Sequence, residues 1–225
     1  MSKAVDIQLS YFNKFQTIWE YEKLFLSAKI DFISFLGVHC PICKGLDCYR
    51  PMAPYWRYAV EVFPKFRKKR IPIARFMCRQ RRKTFSLLPI QLIPYYQYTV
   101  NAVVGTLLLG MESWQMGQKG FHGASVKVDE ADPESLMTPW LISCWLVAVV
   151  KGLRRGHAAL RQFYNLDGIH TSGAWEEVAA YFGAFGLRPK IDRLSLFVDL
   201  VYRYSRRTRQ FLFGTPSQYR RPLPP

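Results

Sequence analysis

Acidic side chains are scarce in this chain. Its 225 residues carry 16 Asp and Glu against 32 Lys and Arg, a formal net charge of +16. That imbalance favours a polyanionic partner: nucleic acid, or less often an anionic membrane surface. Histidine is scarcer still. His39, His122, His157 and His170 are scattered, and no two stand at metal-ligand spacing. There is no HExxH, no P-loop and no Rossmann fingerprint, so the common metalloprotease, phosphate-transfer and dinucleotide chemistries lack their residues. Long apolar runs are missing too. The most apolar stretch, Leu136 to Val150, contains Pro139 and is too short to span a bilayer. No apolar N-terminal run followed by a cleavage site is visible. The expectation is a cytoplasmic, nucleoid-associated protein with no membrane partner.

Hydrophobic residues are not lacking: they make up 49% of the chain, and aromatics 16%. A core can therefore form, and global disorder is excluded. The basic excess is local. Residues 41–100 hold thirteen basic and two acidic side chains, and residues 201–225 hold six basic and none acidic. Residues 101–200 are nearly balanced, with nine against ten. A solvated surface mixes both signs, so a block of one sign reads as a binding face.

The pattern along the chain predicts an α+β protein in four parts: an N-terminal helical segment (1–36), a small basic module (37–90), an α-helical domain (91–207) and a basic, Pro-containing tail (208–225). Phe12, Phe15, Ile18, Trp19, Leu24 and Phe25 recur at helical spacing, with Ser10 as a possible cap and Gly37 as the stop. Pro51 and Pro54 break any helix. Residues 55–63 and 70–77 have strand chemistry and form a hairpin around a basic turn. Pro89 and Pro94 suggest a linker. Helices are expected over 97–112, 134–152, 157–164, 173–186 and 191–207, with Gly152, Gly156 and Gly186 at helix ends. The Gly- and Asp-rich stretch 117–133 is expected to be a loop, and the tail from Thr208 extended.

Five cysteines are present, and three of them fall within nine residues. Without a secretory signal, such clustering favours metal over disulfides. Cys40-Pro41-Ile42-Cys43 is a knuckle in which two thiolates can face one ion. Tetrahedral Zn2+ needs four such ligands. Cys48 and Cys78 complete a set of Cys40, Cys43, Cys48 and Cys78; the alternative is a degenerate site in which Cys48 is incidental.

The run from Cys78 to Pro89, CRQRRKTFSLLP, preceded by CPIC and a hairpin, resembles the zinc-ribbon modules of bacterial insertion-sequence transposases and of small mobile-element proteins related to them. The resemblance covers about residues 36–100. In that pattern a second CxxC precedes the Thr-Phe pair, so position 81 should be cysteine; here it is Arg81. The fourth ligand would then be Cys48, with His39 as the weaker candidate. The resemblance implies a helix-turn-helix beyond residue 100. The 134–152 helix is too apolar to read base edges and suits a core or a partner face instead.

Lys65, Arg67, Lys68, Lys69, Arg70, Arg75, Arg79, Arg81, Arg82 and Lys83 form a run of cations with no acid between them. They are candidate phosphate contacts. Tyr55, Trp56, Tyr58, Phe66 and Phe76 interleave with them; most should fill the module's core, while exposed ones could stack on bases. Arg206, Arg207 and Arg209, with Arg220 and Arg221, make a second patch suited to a phosphate clamp or minor-groove arm. Asp129, Glu130, Asp132 and Glu134 cluster on the expected loop beside a helix start, where acids suit the dipole. A three-carboxylate nuclease needs a strand-rich domain to present its metals, and the region after residue 100 reads helical. The expected function is therefore non-enzymatic DNA recognition for a mobile element, as an accessory or targeting factor. Two alternatives stay open: a transcription regulator, and a structural subunit clamping RNA or DNA in a ribonucleoprotein or defence complex. DNA is favoured over RNA, and the apolar helices suggest a protein partner or homo-oligomer.

Overall fold

The computed structural model describes residues 5–9, 17–131, 135, 137–169, 173–188, 194–208 and 210–214. The fold is mixed α+β. Its sheet has the order β1-β4-β3-β2. Strands β2 (Tyr49–Glu61), β3 (Arg67–Cys78) and β4 (Lys83–Pro89) form an antiparallel meander, and β1 (Val5–Leu9) adds parallel to β4.

The N-terminal segment (1–36) differs from the helical segment expected there. It contains β1, then α1 (Ile18–Leu26) and α2 (Phe32–Leu36). The helix start is set by Thr17, whose hydroxyl accepts from the Glu20 amide. The candidate cap Ser10 lies outside the described residues. Gly37 does end α2, at φ +69°.

The hairpin is longer than its sequence pattern suggested. Pro51 and Pro54 lie inside β2 because β2 is an edge strand, where a missing N–H breaks no ladder. The register also shifts between Met52 and Tyr55. Residues 83–89 were legible only as the approach to a linker; they form β4, with Phe85, Leu87 and Leu88 fully buried. Ile18 and Tyr21 of α1 share a core with Ile71, Ile73, Phe76, Phe85 and Leu87, so α1 covers the sheet.

Beyond the sheet, α3 (Val100–Gln115), α4 (Gly120–Ala131), α5 (Pro139–Leu160), α6 (Ala174–Ala184) and α7 (Leu194–Thr208) enclose a second core around Trp145, Leu107, Phe182 and Phe197. Helix α4 replaces the loop expected at 117–133. Its glycines serve packing: a Cβ on Gly120 would meet the Gly110 carbonyl oxygen at 2.9 Å, and one on Gly123 would meet Ser113 Oγ at 2.4 Å. Asp129 and Glu130 are therefore on a helix, and Asp129 accepts from the Ser135 hydroxyl at 2.9 Å; Asp132 and Glu134 lie outside the described residues.

Helix α5 merges the two helices expected over 134–152 and 157–164. Gly152 and Gly156 are inside it rather than at its ends, and Leu212 and Phe213 lie against them. The start of the tail is accordingly not extended. Phe211, Leu212 and Phe213 are buried, and the Arg155 guanidinium donates to the Leu212 carbonyl at 2.7 Å. No helix among the described residues is long and apolar enough to cross a membrane.

Candidate metal centre and basic surface

Two loops bring four thiols together. The first runs from Cys40 to Cys48. The Cys40 amide donates to the Gly45 carbonyl and the Lys44 amide to the Cys40 carbonyl, each at 2.9 Å. Lys44 (φ +65°) and Asp47 (φ +43°) take left-handed conformations that fold this loop tightly. The second is the four-residue turn between β3 and β4, where Cys78 pairs with Lys83 across the ladder and Arg82 has φ +50°. The Arg79 amide donates to the Cys48 carbonyl at 2.8 Å and ties the loops to each other.

The Sγ atoms of Cys40, Cys43, Cys48 and Cys78 all lie within 4.8 Å of one another. Cys48 is 2.9 Å from Cys43 and 3.7 Å from Cys78, sulfur to sulfur. Zn–S bonds of about 2.3 Å in a tetrahedron require sulfurs about 3.8 Å apart. The set therefore fits such an ion once the Cys43–Cys48 pair opens slightly. Three of the four cysteines are buried, and Cys43 is half-buried. The hydrogen bond with Cys43, then burial, then the other thiols push the Cys48 thiol up. A cation is what would turn this cluster into thiolates. Four cysteines in this arrangement could hold a metal ion.

The structure resolves the question of the fourth member. Cys48 is in the cluster, and His39 is not: its Nδ1 lies 3.3 Å from the Lys44 carbonyl on the exposed side. Arg81 contributes its backbone. Its amide donates to Cys78 Sγ at 3.4 Å, the kind of bond that supports sulfur charge, and its side chain is exposed. Tyr49, whose hydroxyl donates to the Gly37 carbonyl, packs its ring edgewise on Phe76 and Phe85 and joins the cluster to the sheet core.

The run of cations divides into groups. Arg79, Arg81, Arg82 and Lys83 are exposed on the turn that carries Cys78. Lys44 and Arg50, exposed beside Cys43 and Cys48, join them; only their place in the tertiary structure links these two to the turn. At the other end of β3, Lys65, Arg67, Lys68, Lys69 and Arg70 are exposed, while Arg75 is half-buried between the groups. Arg70 and Cys78 are roughly 26 Å apart along the extended strand. Two of the distal cations are engaged by α1. Lys69 Nζ is 2.8 Å from the buried Glu22 carboxylate, and Arg67 stacks over Trp19 at 4.9 Å.

The two acids of the module offset little of this charge at the surface. Glu61 is buried, with Trp19 and Asn101 hydrogen-bonded to it; burial holds its carboxyl above the ordinary range. Only Asp47 is exposed. Of the second patch, Arg206 and Arg207 are exposed in the last turn of α7, and Arg206 packs over Tyr202 at 5.7 Å. Arg209, Arg220 and Arg221 lie outside the described residues. Among the aromatics, Phe76 is buried, Tyr55 and Phe66 are half-buried, and Trp56 and Tyr58 are exposed.

Compared with known proteins, the chain matches no family model, no curated protein and no solved structure.

Proposed function

We propose that this is a non-catalytic DNA-binding protein whose basic module is a zinc-ribbon-like unit organised by Zn2+ on Cys40, Cys43, Cys48 and Cys78. One observation carries the reading. The turn that supplies Cys78 also exposes Arg79, Arg81, Arg82 and Lys83, with Lys44 on the facing loop and Arg50 at the start of β2. A metal there would fix the backbone beneath six cations. Cations held on a rigid backbone meet phosphates, and fixed arginines can also reach guanine, without reordering a loop on each encounter. As in the mobile-element proteins it resembles, the module would serve a targeting or accessory role.

A second reading is favoured by α5. Trp140 is 70% exposed and Val147 48% exposed on that helix, a surface suited to a protein partner. In that case the protein would clamp nucleic acid as a subunit of a larger assembly.

The test uses purified protein and a labelled DNA carrying both a duplex and a single-stranded tail. Elemental analysis should find about one zinc per chain. Affinity should fall steeply with salt. Replacing Arg79, Arg81, Arg82 and Lys83 together by Ala should flatten the log–log slope by about 3, since each lost phosphate contact is worth about 0.7–0.9. Wild-type protein that does not bind this DNA at low salt would overturn the reading.

A further inference from the structure

The distal end of the β2–β3 hairpin carries a surface that the metal centre does not explain. Residues paired across an antiparallel ladder share a face, and faces alternate along each strand. Tyr58 pairs with Arg70, Val60 with Lys68 and Trp56 with Pro72. Trp56, Tyr58, Lys68 and Arg70 therefore lie on one face. The alternate residues Arg67 and Lys69 lie on the other, where α1 engages them through Trp19 and Glu22.

The open face has an unusual composition. Trp56 is 45% exposed and Tyr58 44% exposed, on the strand that ends the sheet order among the described residues, where residues 97–99 bridge β2 at Val60. Lys68 Nζ lies 5.3 Å, and the Arg70 guanidinium carbon 5.9 Å, from the centroid of the Tyr58 ring. Neither cation makes an ion pair among the described residues. Trp56 and Tyr58 are two residues apart, so their Cα atoms stand about 6.6 Å apart along the strand.

We propose that this face is a stacking platform for a single strand of nucleic acid, with Trp56 and Tyr58 taking unpaired bases and Lys68 and Arg70 taking the adjoining phosphates. The proposal rests on the DNA-binding reading and adds the strand state. The chemistry selects the occupant. Flat rings held open beside unpaired cations match a ligand that offers aromatic faces and negative charge at short, regular intervals. A duplex hides its base faces in the stack and would use only the cations. A neutral or basic protein surface would leave Lys68 and Arg70 unpaired. The spacing of the two strand positions is about twice the 3.4 Å rise of one strand, so side chains anchored there would receive alternate stacked bases, or neighbouring bases of a stretched strand.

Fluorescence anisotropy with the full chain, comparing an oligo(dT) strand and a blunt duplex of the same length, tests this. Trp56→Ala should weaken oligo(dT) binding about 5- to 100-fold with the salt slope unchanged, because stacking releases no counterions. Trp56→Phe, which keeps a ring, should recover most of that loss. Phe163→Ala, at an exposed ring beyond the end of α5, should change nothing. Replacing Lys68 and Arg70 together by Ala should flatten the single-strand slope by about 1.4. Duplex binding should be insensitive to Trp56→Ala. If Trp56→Ala binds oligo(dT) like wild type, or weakens strand and duplex equally, the platform is wrong while DNA binding stands. If wild type binds neither probe, the functional reading beneath it fails as well.

Discussion

At the residue scale, Cys48 and Arg81 divide the roles that a second CxxC would have combined. Cys48 supplies a sulfur to the cluster, and Arg81 supplies a backbone amide to Cys78 while its side chain faces solvent. The two positions should therefore respond differently to truncation. Cys48→Ala should abolish stoichiometric metal and destabilise the protein by about 4 kcal/mol or more, because loss of a structural metal is among the largest single-site effects. Arg81→Ala should keep its metal and melt within about 0.5 kcal/mol of wild type, since its amide is untouched and surface changes are small. Metal analysis and thermal denaturation of the two variants check this. Metal loss in Arg81→Ala would mean that the side chain, not the amide, supports the site.

At the element scale, helix α5 shows why glycine is a poor guide to helix ends here. A Cβ on Gly152 would meet the Leu212 carbonyl oxygen at 2.5 Å and Phe213 Cδ1 at 2.6 Å. The clash is with tail backbone and a buried ring rather than with the end of a flexible side chain. Gly183 of α6 is exposed, with nothing within 4 Å of the same added atom. Alanine improves helix propensity by about 1 kcal/mol at either position. At Gly152 overpacking should outweigh that gain, for a net loss of about 1–2 kcal/mol. At Gly183 the gain stands alone, and Gly183→Ala should be stabilising by about 0.5–1 kcal/mol. Chemical denaturation of the pair reads the opposite signs directly. Equal effects would mean that the tail does not press on α5.

At the scale of the whole molecule, the metal loops and the helical bundle draw on separate cores. Cys40, Cys48 and Cys78 cluster with Ile42 and Tyr49, whereas Trp145, Leu107, Phe182 and Phe197 belong to the bundle. Removing metal with a chelator should therefore lower the melting temperature and open the 40–48 loop, while the far-ultraviolet helical signal persists. Circular dichroism before and after chelation tests this. Metal uptake should also release protons and weaken as pH falls, because thiols must ionise to bind. Complete loss of helix on chelation would show that the bundle depends on the centre.

The amino-acid order alone made legible where the charge lies, that three thiols sit close together with a fourth on a hairpin, and that the C-terminal half is helical. These are local properties: spacing, composition and periodicity survive without knowledge of neighbours. It did not reveal β4, α4 or the buried tail. Phe85, Leu87 and Leu88 form a strand because β3 and β1 offer ladders on both sides. Gly120 and Gly123 are helical because α3 approaches too closely for side chains. Leu212 and Phe213 are buried because α5 presents glycines to them, and Phe211 because it joins the sheet core. The choice of Cys48 over His39, and the exposure of Trp56 and Tyr58 among five candidate rings, also came only from the fold. Each depends on which surfaces meet, and that is set by contacts between residues far apart in the chain.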